Sequence, residues 1–242
     1  ARDPAAPRLR ARRRGRAMMD WPSILLSVEL ALATLAVLLP TALFAARWLA
    51  HTGVRGKAWI EGLLALPLVL PPTVIGYYLL VAMGGNSPLG RWFESLSGHT
   101  LAFSFPGLVA ASVVFNIPFA VQPMQRAFEA IPQEIHEAAR CCGLGVRQAL
   151  WRIELPLAWP GILSAAVMTF AHTLGEFGVV LMVGGNIAGE TRTVAISIYD
   201  RAQAFDHAAA GAMSLLLLAI SLVTIAVSYG LAERLMRHRR AT

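Results

Sequence analysis

The chain has 242 residues, of which 56% are hydrophobic and only 14% are charged, and it carries a net charge of +7. This excess of apolar side chains excludes an ordinary soluble domain, because so much apolar surface has to face lipid or other buried helices. The Arg residues lie beside and between the apolar runs, so we attribute the positive charge to membrane topology and expect no nucleic-acid partner.

Residues 1–20 form the first predicted segment. Residues 1–17 contain seven Arg residues together with Pro and Ala and show no apolar periodicity, which is typical of a disordered leader. Met18 and Met19 follow directly. We hypothesise that one of them is the biological start of translation, which N-terminal sequencing of the native protein would test.

Five apolar runs of about the length that crosses a bilayer follow the leader. We place the spans at about 24–47, 59–83, 101–123, 160–183 and 211–233. The sequence therefore predicts an all-α, polytopic membrane protein with a transmembrane domain at 21–233 and a basic cytoplasmic tail at 234–242. Prolines inside the spans are tolerated where neighbouring helices or water satisfy the freed carbonyl groups.

The distribution of Lys and Arg between the loops predicts the orientation of the spans. Eleven of these residues lie in or beside the loop at 48–58, the loop at 124–159 and the tail, whereas the opposite loops contain only Arg91, Arg192 and Arg201. We therefore place the first group in the cytoplasm and the N-terminus outside. An Arg-rich leader outside would violate the same rule. The conflict disappears if translation starts at Met18 or Met19. A sixth span would also remove it, but the place for one is 157–189, and that segment is too short to cross the membrane twice.

The predicted cytoplasmic loop at 124–159 has the pattern of two short helices. The first begins near Pro132, where a proline fits the first helical turn, and ends at Gly143 and Gly145. The second runs from about 146 to 153 and ends at a break at Pro156. An apolar stripe along the first helix consists of Ile135, Ala138, Ala139 and Cys142. We infer an amphipathic helix that is held beneath the membrane and seats against a partner protein.

Seven positions of this loop have the spacing Glu-Ala-Ala, three residues, Gly, nine residues, Ile, one residue and Leu-Pro. They are Glu137, Ala138, Ala139, Gly143, Ile153, Leu155 and Pro156. The pattern resembles the cytoplasmic coupling motif of the permease subunits of binding-protein-dependent ABC importers. This resemblance implies a type I ABC importer permease fold whose short helix docks into a cleft on an ATP-binding ABC subunit.

Two further stretches are similar to the molybdate permease branch of that family: LPLVLPPTVIGYYLL at 66–80 and LGEFGVVLMVGGNIAGETRT at 174–193. The resemblance implies transport of molybdate, or of tungstate, across the cytoplasmic (inner) membrane of a bacterium. It also implies a homodimer in the lipid bilayer and a periplasmic or extracellular molybdate-binding protein. A sulfate or thiosulfate permease remains the alternative, because tetrahedral oxyanions of equal charge make similar demands on a pore.

The sequence contains no ATP-binding loop, because its one lysine, Lys57, lacks the glycine and hydroxyl spacing of a phosphate-binding loop. We therefore predict a non-catalytic subunit that needs a separate ATPase and has no cofactor or metal site. The two cysteines, Cys141 and Cys142, are adjacent, which is poor geometry for a disulfide. We expect both to be free thiols.

The charge-free centres of the apolar runs offer no fixed positive charge to hold a dianion tightly in the membrane. We expect weaker binding positions for the anion along a transient path. The candidates are Thr73, Ser112, Asn116, Thr169, Thr173 and Glu176, with Glu176 protonated or turned away from the anion. His172 and Glu176 lie one turn apart and are predicted to form a hydrogen-bonded packing pair. The alternative from another class is a proton relay in a proton-driven secondary transporter.

Overall fold

The computed structural model describes residues 19–240, which form helices and loops without a strand in that range. The prediction of a disordered leader falls almost entirely on residues 1–18 and so lies outside the described residues. In chain order the helices are α1 (Trp21–His51), α2 (Lys57–Val69), α3 (Pro72–Met83), α4 (Pro88–Ser97), α5 (Phe105–Glu129), α6 (Gln133–Cys141), α7 (Val146–Ala149), α8 (Leu155–Gly175), α9 (Gly178–Gly184), α10 (Val194–Gln203) and α11 (His207–Arg240). A π-helical turn, Leu150–Glu154, joins α7 to α8. The predicted all-α class is confirmed.

Four stretches within the described range are long and apolar enough to cross a membrane. They are Trp21–His51, Phe105–Glu129, Val146–Gly175 and His207–Val227. A fifth crossing requires α2 and α3 to act together as one broken span. The five predicted spans therefore correspond to four continuous helices and one bent pair.

The predicted single span at 59–83 is bent by 108° between α2 and α3. Leu70 and Pro71 have extended backbone conformations, with ψ of 142° and 135°. Each precedes a proline, and a following proline disfavours the helical conformation of the residue before it. The consecutive prolines Pro71 and Pro72 therefore end one helix and begin the next, with Pro72 in the first turn of α3.

The predicted break at Pro156 is wrong, because Val146–Gly175 forms one continuous helical stretch. Pro156 lies in the first turn of α8, where a missing N–H is tolerated. The π-helical turn before it satisfies its own backbone, since the Leu155 N–H donates to the Leu150 carbonyl. At its other end α8 stops at Gly175, so the predicted span at 160–183 begins too late and merges α8 with α9.

The helices α1, α5 and α8 pack against one another and form a core that extends to the end of the bundle nearest α6. Its buried residues include Leu38 and Leu49 from α1, Met124 and Phe128 from α5, and Ala158 from α8. Many large apolar side chains on α1, α3 and α11 remain exposed, as a lipid-facing surface requires. Examples are Leu32, Phe44, Tyr78, Val81, Leu218 and Leu222.

The segment at 84–100, between the second and third predicted spans, contains the amphipathic helix α4. Ser87 caps this helix by accepting a hydrogen bond from the Gly90 N–H at 2.8 Å. Phe93 packs into the core beside α3, whereas Trp92 and Leu96 are exposed. Helix α4 therefore covers the end of the bundle opposite to α6.

Candidate functional site

Helix α6 is the short amphipathic helix that the sequence predicts after Pro132. Its C-terminal end is a Schellman motif: the Gly143 N–H donates to the Arg140 carbonyl at 2.9 Å and the Leu144 N–H to the Ala139 carbonyl at 3.0 Å. The motif requires a left-handed residue, and Gly143 has a φ of +74°. The predicted start and glycine stop of this helix are confirmed.

The two faces of α6 differ from the predicted stripe. Ala139 is buried, and Ile135 and His136 are half-buried against the spans, whereas Ala138 and Cys142 are exposed. The stripe was expected to meet a partner as a whole, but the structure divides it: Ala138 and Cys142 face outward, whereas Ile135 and Ala139 face the spans. The exposed side of α6 and its turn thus contains Glu137, Ala138, Cys141, Cys142 and Gly143, and a side chain built on Gly143 would meet nothing within 4 Å.

The last three motif positions lie where the loop enters the membrane domain. Ile153 belongs to the π-helical turn and is half-buried. Leu155 packs against the core that α1, α5 and α8 share, and Pro156 is exposed. Leu155 therefore anchors the start of α8.

Glu154, between Ile153 and Leu155, is a buried carboxylate that was not among the predicted site residues. Its two oxygens accept hydrogen bonds from Nε and Nη2 of Arg47 at 2.5 and 2.9 Å. Nδ1 of His136 lies 3.8 Å from Oε1, and the rings of His136 and His51 meet edge to face at 5.1 Å. We call Arg47, His51, His136 and Glu154 the Glu154 cluster. Its members come from the end of α1, from α6 and from the base of α8.

Three members of the Glu154 cluster also approximate a set of metal ligands. One ligand atom each of His51, His136 and Glu154 lies within 4.8 Å of the others. However, Arg47 occupies both carboxylate oxygens with a guanidinium that stays charged, and this opposes a divalent cation at the same place. The arrangement therefore fits an ion-pair network, and the absence of a metal site stays a prediction.

A second polar network joins the loop at 48–58 to α5. Nζ of Lys57 lies 3.2 Å from Oε1 of Glu129, and Nε2 of Gln125 donates to both Glu129 and Glu61, at 2.9 and 2.6 Å. Together with the Glu154 cluster, it places the loop at 48–58 and the loop at 124–159 on one face of the molecule. We call this face the basic face.

The polar side chains predicted to line a path are in part brought together inside the bundle. Ser112, Asn116, Thr169 and Thr173 are all buried, whereas Thr73 is exposed at the start of α3. Nδ2 of Asn116 donates to the Ser112 carbonyl at 2.8 Å, and Oδ1 of Asn116 lies 3.1 Å from Nδ1 of His172. Oγ1 of Thr169 is buried without a hydrogen-bond partner within the described range, so this interior has a free polar group.

His172 and Glu176 do not form the predicted hydrogen-bonded pair. The imidazole of His172 stacks on Phe119, with ring centroids 3.9 Å apart, while it contacts Asn116. Glu176 lies beyond the end of α8, and its Oε1 accepts a hydrogen bond from the Val179 N–H at 2.8 Å. The prediction is wrong because α8 ends at Gly175. Glu176 therefore does not lie on the same helix face one turn after His172.

The start of α1 lies on the face opposite to the basic face, beside the loop at 184–210. Asp20 accepts hydrogen bonds from the hydroxyl groups of Ser23 and Ser197 at 2.8 and 2.7 Å. Partial burial would raise the pKa of Asp20, but these hydrogen bonds outweigh that effect and lower it. Nearby, Arg192 donates to Asn186, which in turn donates to Asp200. The first helix thus runs from this face to the basic face.

Comparisons with known proteins agree with this architecture. The family of inner membrane components of binding-protein-dependent transport systems matches residues 39–240. The molybdenum transport system permease protein ModB of Azotobacter vinelandii is 49% identical over 191 residues, which are 79% of this chain and 84% of that protein. Its counterpart in Escherichia coli strain K12 is 36% identical over 221 residues, covering 91% of this chain and 96% of that protein. A chain of a bacterial ABC transporter for the acidic polysaccharide alginate superposes with a TM-score of 0.72 at 16% identity, over 88% of this chain and 78% of that chain, and shows the fold of an ABC importer permease.

Proposed function

Because the chain belongs to the family of inner membrane components of binding-protein-dependent transport systems, we propose that it is the permease subunit of an ATP-driven importer of molybdate. It is a multi-pass protein of the bacterial inner membrane. The observation that carries the substrate assignment is the similarity to molybdenum permeases over most of the chain. Tungstate, an oxyanion of the same shape and charge, is included in the proposal.

The exposed side of α6 is the proposed docking surface for a separate ATP-binding subunit. Glu137, Ala138 and Gly143 are exposed there, and the small residues allow a partner's backbone to approach closely. Buried Ala139 holds the helix from the other side, and Leu155, between Ile153 and Pro156, packs the start of α8 against the core. ATP hydrolysis belongs to the partner in this proposal, and the permease contributes no catalytic group.

The buried hydroxyl and amide groups of α5 and α8 are the proposed stations for the passing anion. Ser112, Asn116, Thr169 and Thr173 provide neutral polar groups without a fixed cation, which suits transient passage after capture by a separate binding protein. Thr73 and Glu176 flank this interior, since α3 and α9 begin side by side: a Cβ added to Gly178 would lie 2.8 Å from Cβ of Pro72 and 3.6 Å from Oε1 of Glu176. The contact of Glu176 with α9 supports the expectation that its carboxylate is turned away from the anion.

A binding protein outside the cell and a second copy of this chain complete the proposed assembly. The charged residues of the loop at 184–210 lie opposite the basic face and suit a transient contact with a binding protein. A two-fold partner would close a pathway that the spans of one chain enclose only in part. The separation of His172 from Glu176 removes the residue pair on which a proton-driven mechanism depended.

Uptake of labelled molybdate by proteoliposomes tests this proposal. They contain the chain with its ATP-binding subunit and its binding protein, with ATP enclosed and sulfate added in excess as a competitor. We expect uptake that requires ATP hydrolysis and persists in excess sulfate. Competition by sulfate would reassign the substrate to the sulfate branch, and uptake driven by a proton gradient without ATP would overturn the ABC importer assignment.

A further inference from the structure

Three elements of the basic face meet at one buried carboxylate, that of Glu154. Its side chain is 3% exposed, and both of its oxygens are held by the fork of Arg47, whose side chain is 25% exposed. Bidentate guanidinium–carboxylate contacts fix the relative orientation of the two groups as well as their distance. A buried carboxylate without its partner is strongly unfavourable. The end of α1 is therefore tied to the base of α8 with a defined geometry.

Helix α6 has few other attachments to the membrane domain. Of residues 133–141, Ile135, His136 and Ala139 are the three that are not exposed. His136 faces Glu154 on one side and the ring of His51 on the other. His51 is itself oriented by Arg47, since its Nδ1 lies 2.8 Å from the Arg47 carbonyl oxygen. The Glu154 cluster is thus the polar contact that positions α6 relative to the spans, beside the apolar contacts of Ile135 and Ala139.

Glu154 itself also lies on a helical stretch that reaches the membrane interior. Val146–Gly175 is a continuous stretch of 30 residues, which corresponds to about 45 Å at 1.5 Å per residue. Its far end carries Thr169 and Thr173 and stops beside Glu176. Glu154 is therefore joined to the proposed anion path by one continuous helical stretch. The π-helical turn ends at Glu154, and such turns often mark functional positions.

We propose that Arg47 and Glu154 are positioning residues that make α1, α6 and α8 move together when the ATP-binding subunit displaces α6. The inference rests on the proposed function and deepens it. The pair transmits the movement of the docking helix to the spans, and His136 is the contact through which α6 acts on the pair. Loss of the bidentate contact between Arg47 and Glu154 leaves docking and ATP hydrolysis intact but uncouples them from transport.

The test measures molybdate transported per ATP hydrolysed by the reconstituted transporter, for the wild type, four variants of the Glu154 cluster and one control variant. Arg47→Lys keeps the charge but cannot form the fork, and Glu154→Gln removes the carboxylate at nearly constant size. His136→Ala removes the contact from α6. We expect each to lower the transport-to-hydrolysis ratio at least about fivefold, the lower end of typical couplings between sites, while basal hydrolysis is retained. The double variant Arg47→Glu/Glu154→Arg restores the pair in reverse but not the contact with His136, and we expect it to recover part of the ratio that Glu154→Gln loses.

Lys57→Gln is the matched control, because Lys57 and Glu129 form an ion pair on the same face that does not include α6. We expect its ratio to equal that of the wild type. Unchanged ratios in Arg47→Lys and Glu154→Gln would overturn the inference, as would a ratio for the double variant no higher than that of Glu154→Gln at wild-type protein levels. Absence of ATP-dependent uptake in the wild type would instead contradict the proposed function.

Discussion

Gly143 shows how one backbone conformation shapes the docking surface. A β-branched residue there would have to adopt a φ near +74°, which costs about 1–2 kcal/mol for a residue with a Cβ. We predict that Gly143→Val distorts the end of α6 and uncouples ATP hydrolysis from transport, while the spans remain folded. Hydrolysis and uptake by the reconstituted transporter measure the effect.

Gly145 provides a control two residues away. Its surroundings are equally open, but its φ is −68°, which any residue adopts. Gly145→Ala should therefore transport normally, and Gly143→Asn should retain more transport than Gly143→Val, because asparagine tolerates the left-handed conformation. Undiminished transport by Gly143→Val would contradict the coupling assignment.

Residue patterns predicted the motif positions of the loop but not the Glu154 cluster. Local spacing indicated Gly143 as a helix stop, since a C-terminal glycine is a short-range signal. Arg47 and Glu154 are separated by 107 positions, and no periodicity relates them. An acidic residue between Ile153 and Leu155, at the entrance to an apolar span, was the available signal, because a carboxylate there requires a partner.

Helices α5 and α8 approach each other closely, and Gly161 allows this contact. A Cβ at this position would overlap the Cβ of Ala127 and lie 2.8 Å from the Pro123 carbonyl oxygen. We predict that Gly161→Val forces the two helices apart and destabilises the bundle by about 1–3 kcal/mol, as overpacking does. Thermal unfolding in detergent, followed by size-exclusion chromatography, measures the change.

The same substitution on α11 separates steric overlap from other effects of valine. Gly211 has nothing within 4 Å of an added Cβ, so Gly211→Val should leave the unfolding temperature near that of the wild type. Equal unfolding temperatures for the two variants would contradict the close α5–α8 contact.

At the level of helices, apolar run length predicted which segments cross the membrane but not where the helices break. The double proline at Pro71 and Pro72 was visible in the sequence, yet the 108° bend depends on how α3 packs against α9. Pro156 looked like a stop and is not one, because the π-helical turn accommodates it. Conversely, the break at Glu176 lies inside an apolar run, where the carboxylate's capping of α9 determines it.

At the scale of the whole molecule, the fold makes the orientation of the spans testable with native residues. The count of Lys and Arg in the loops places the basic face in the cytoplasm, and α6 lies on that face. Its residues Cys141 and Cys142 are free, exposed thiols, and they are the two cysteines of the chain. A membrane-impermeant thiol reagent therefore reports directly on the side of the membrane that α6 occupies.

We predict that a charged maleimide labels inside-out membrane vesicles but not right-side-out vesicles or intact spheroplasts. The variant Cys141→Ser/Cys142→Ser should not be labelled in either, and adding Ser97→Cys at the exposed end of α4 should restore labelling from the outside alone. Addition of the ATP-binding subunit should protect the native thiols, because the proposed docking surface contains both. Labelling of Cys141 or Cys142 in right-side-out vesicles would invert the topology and place α6 where no ATP-binding subunit can reach it.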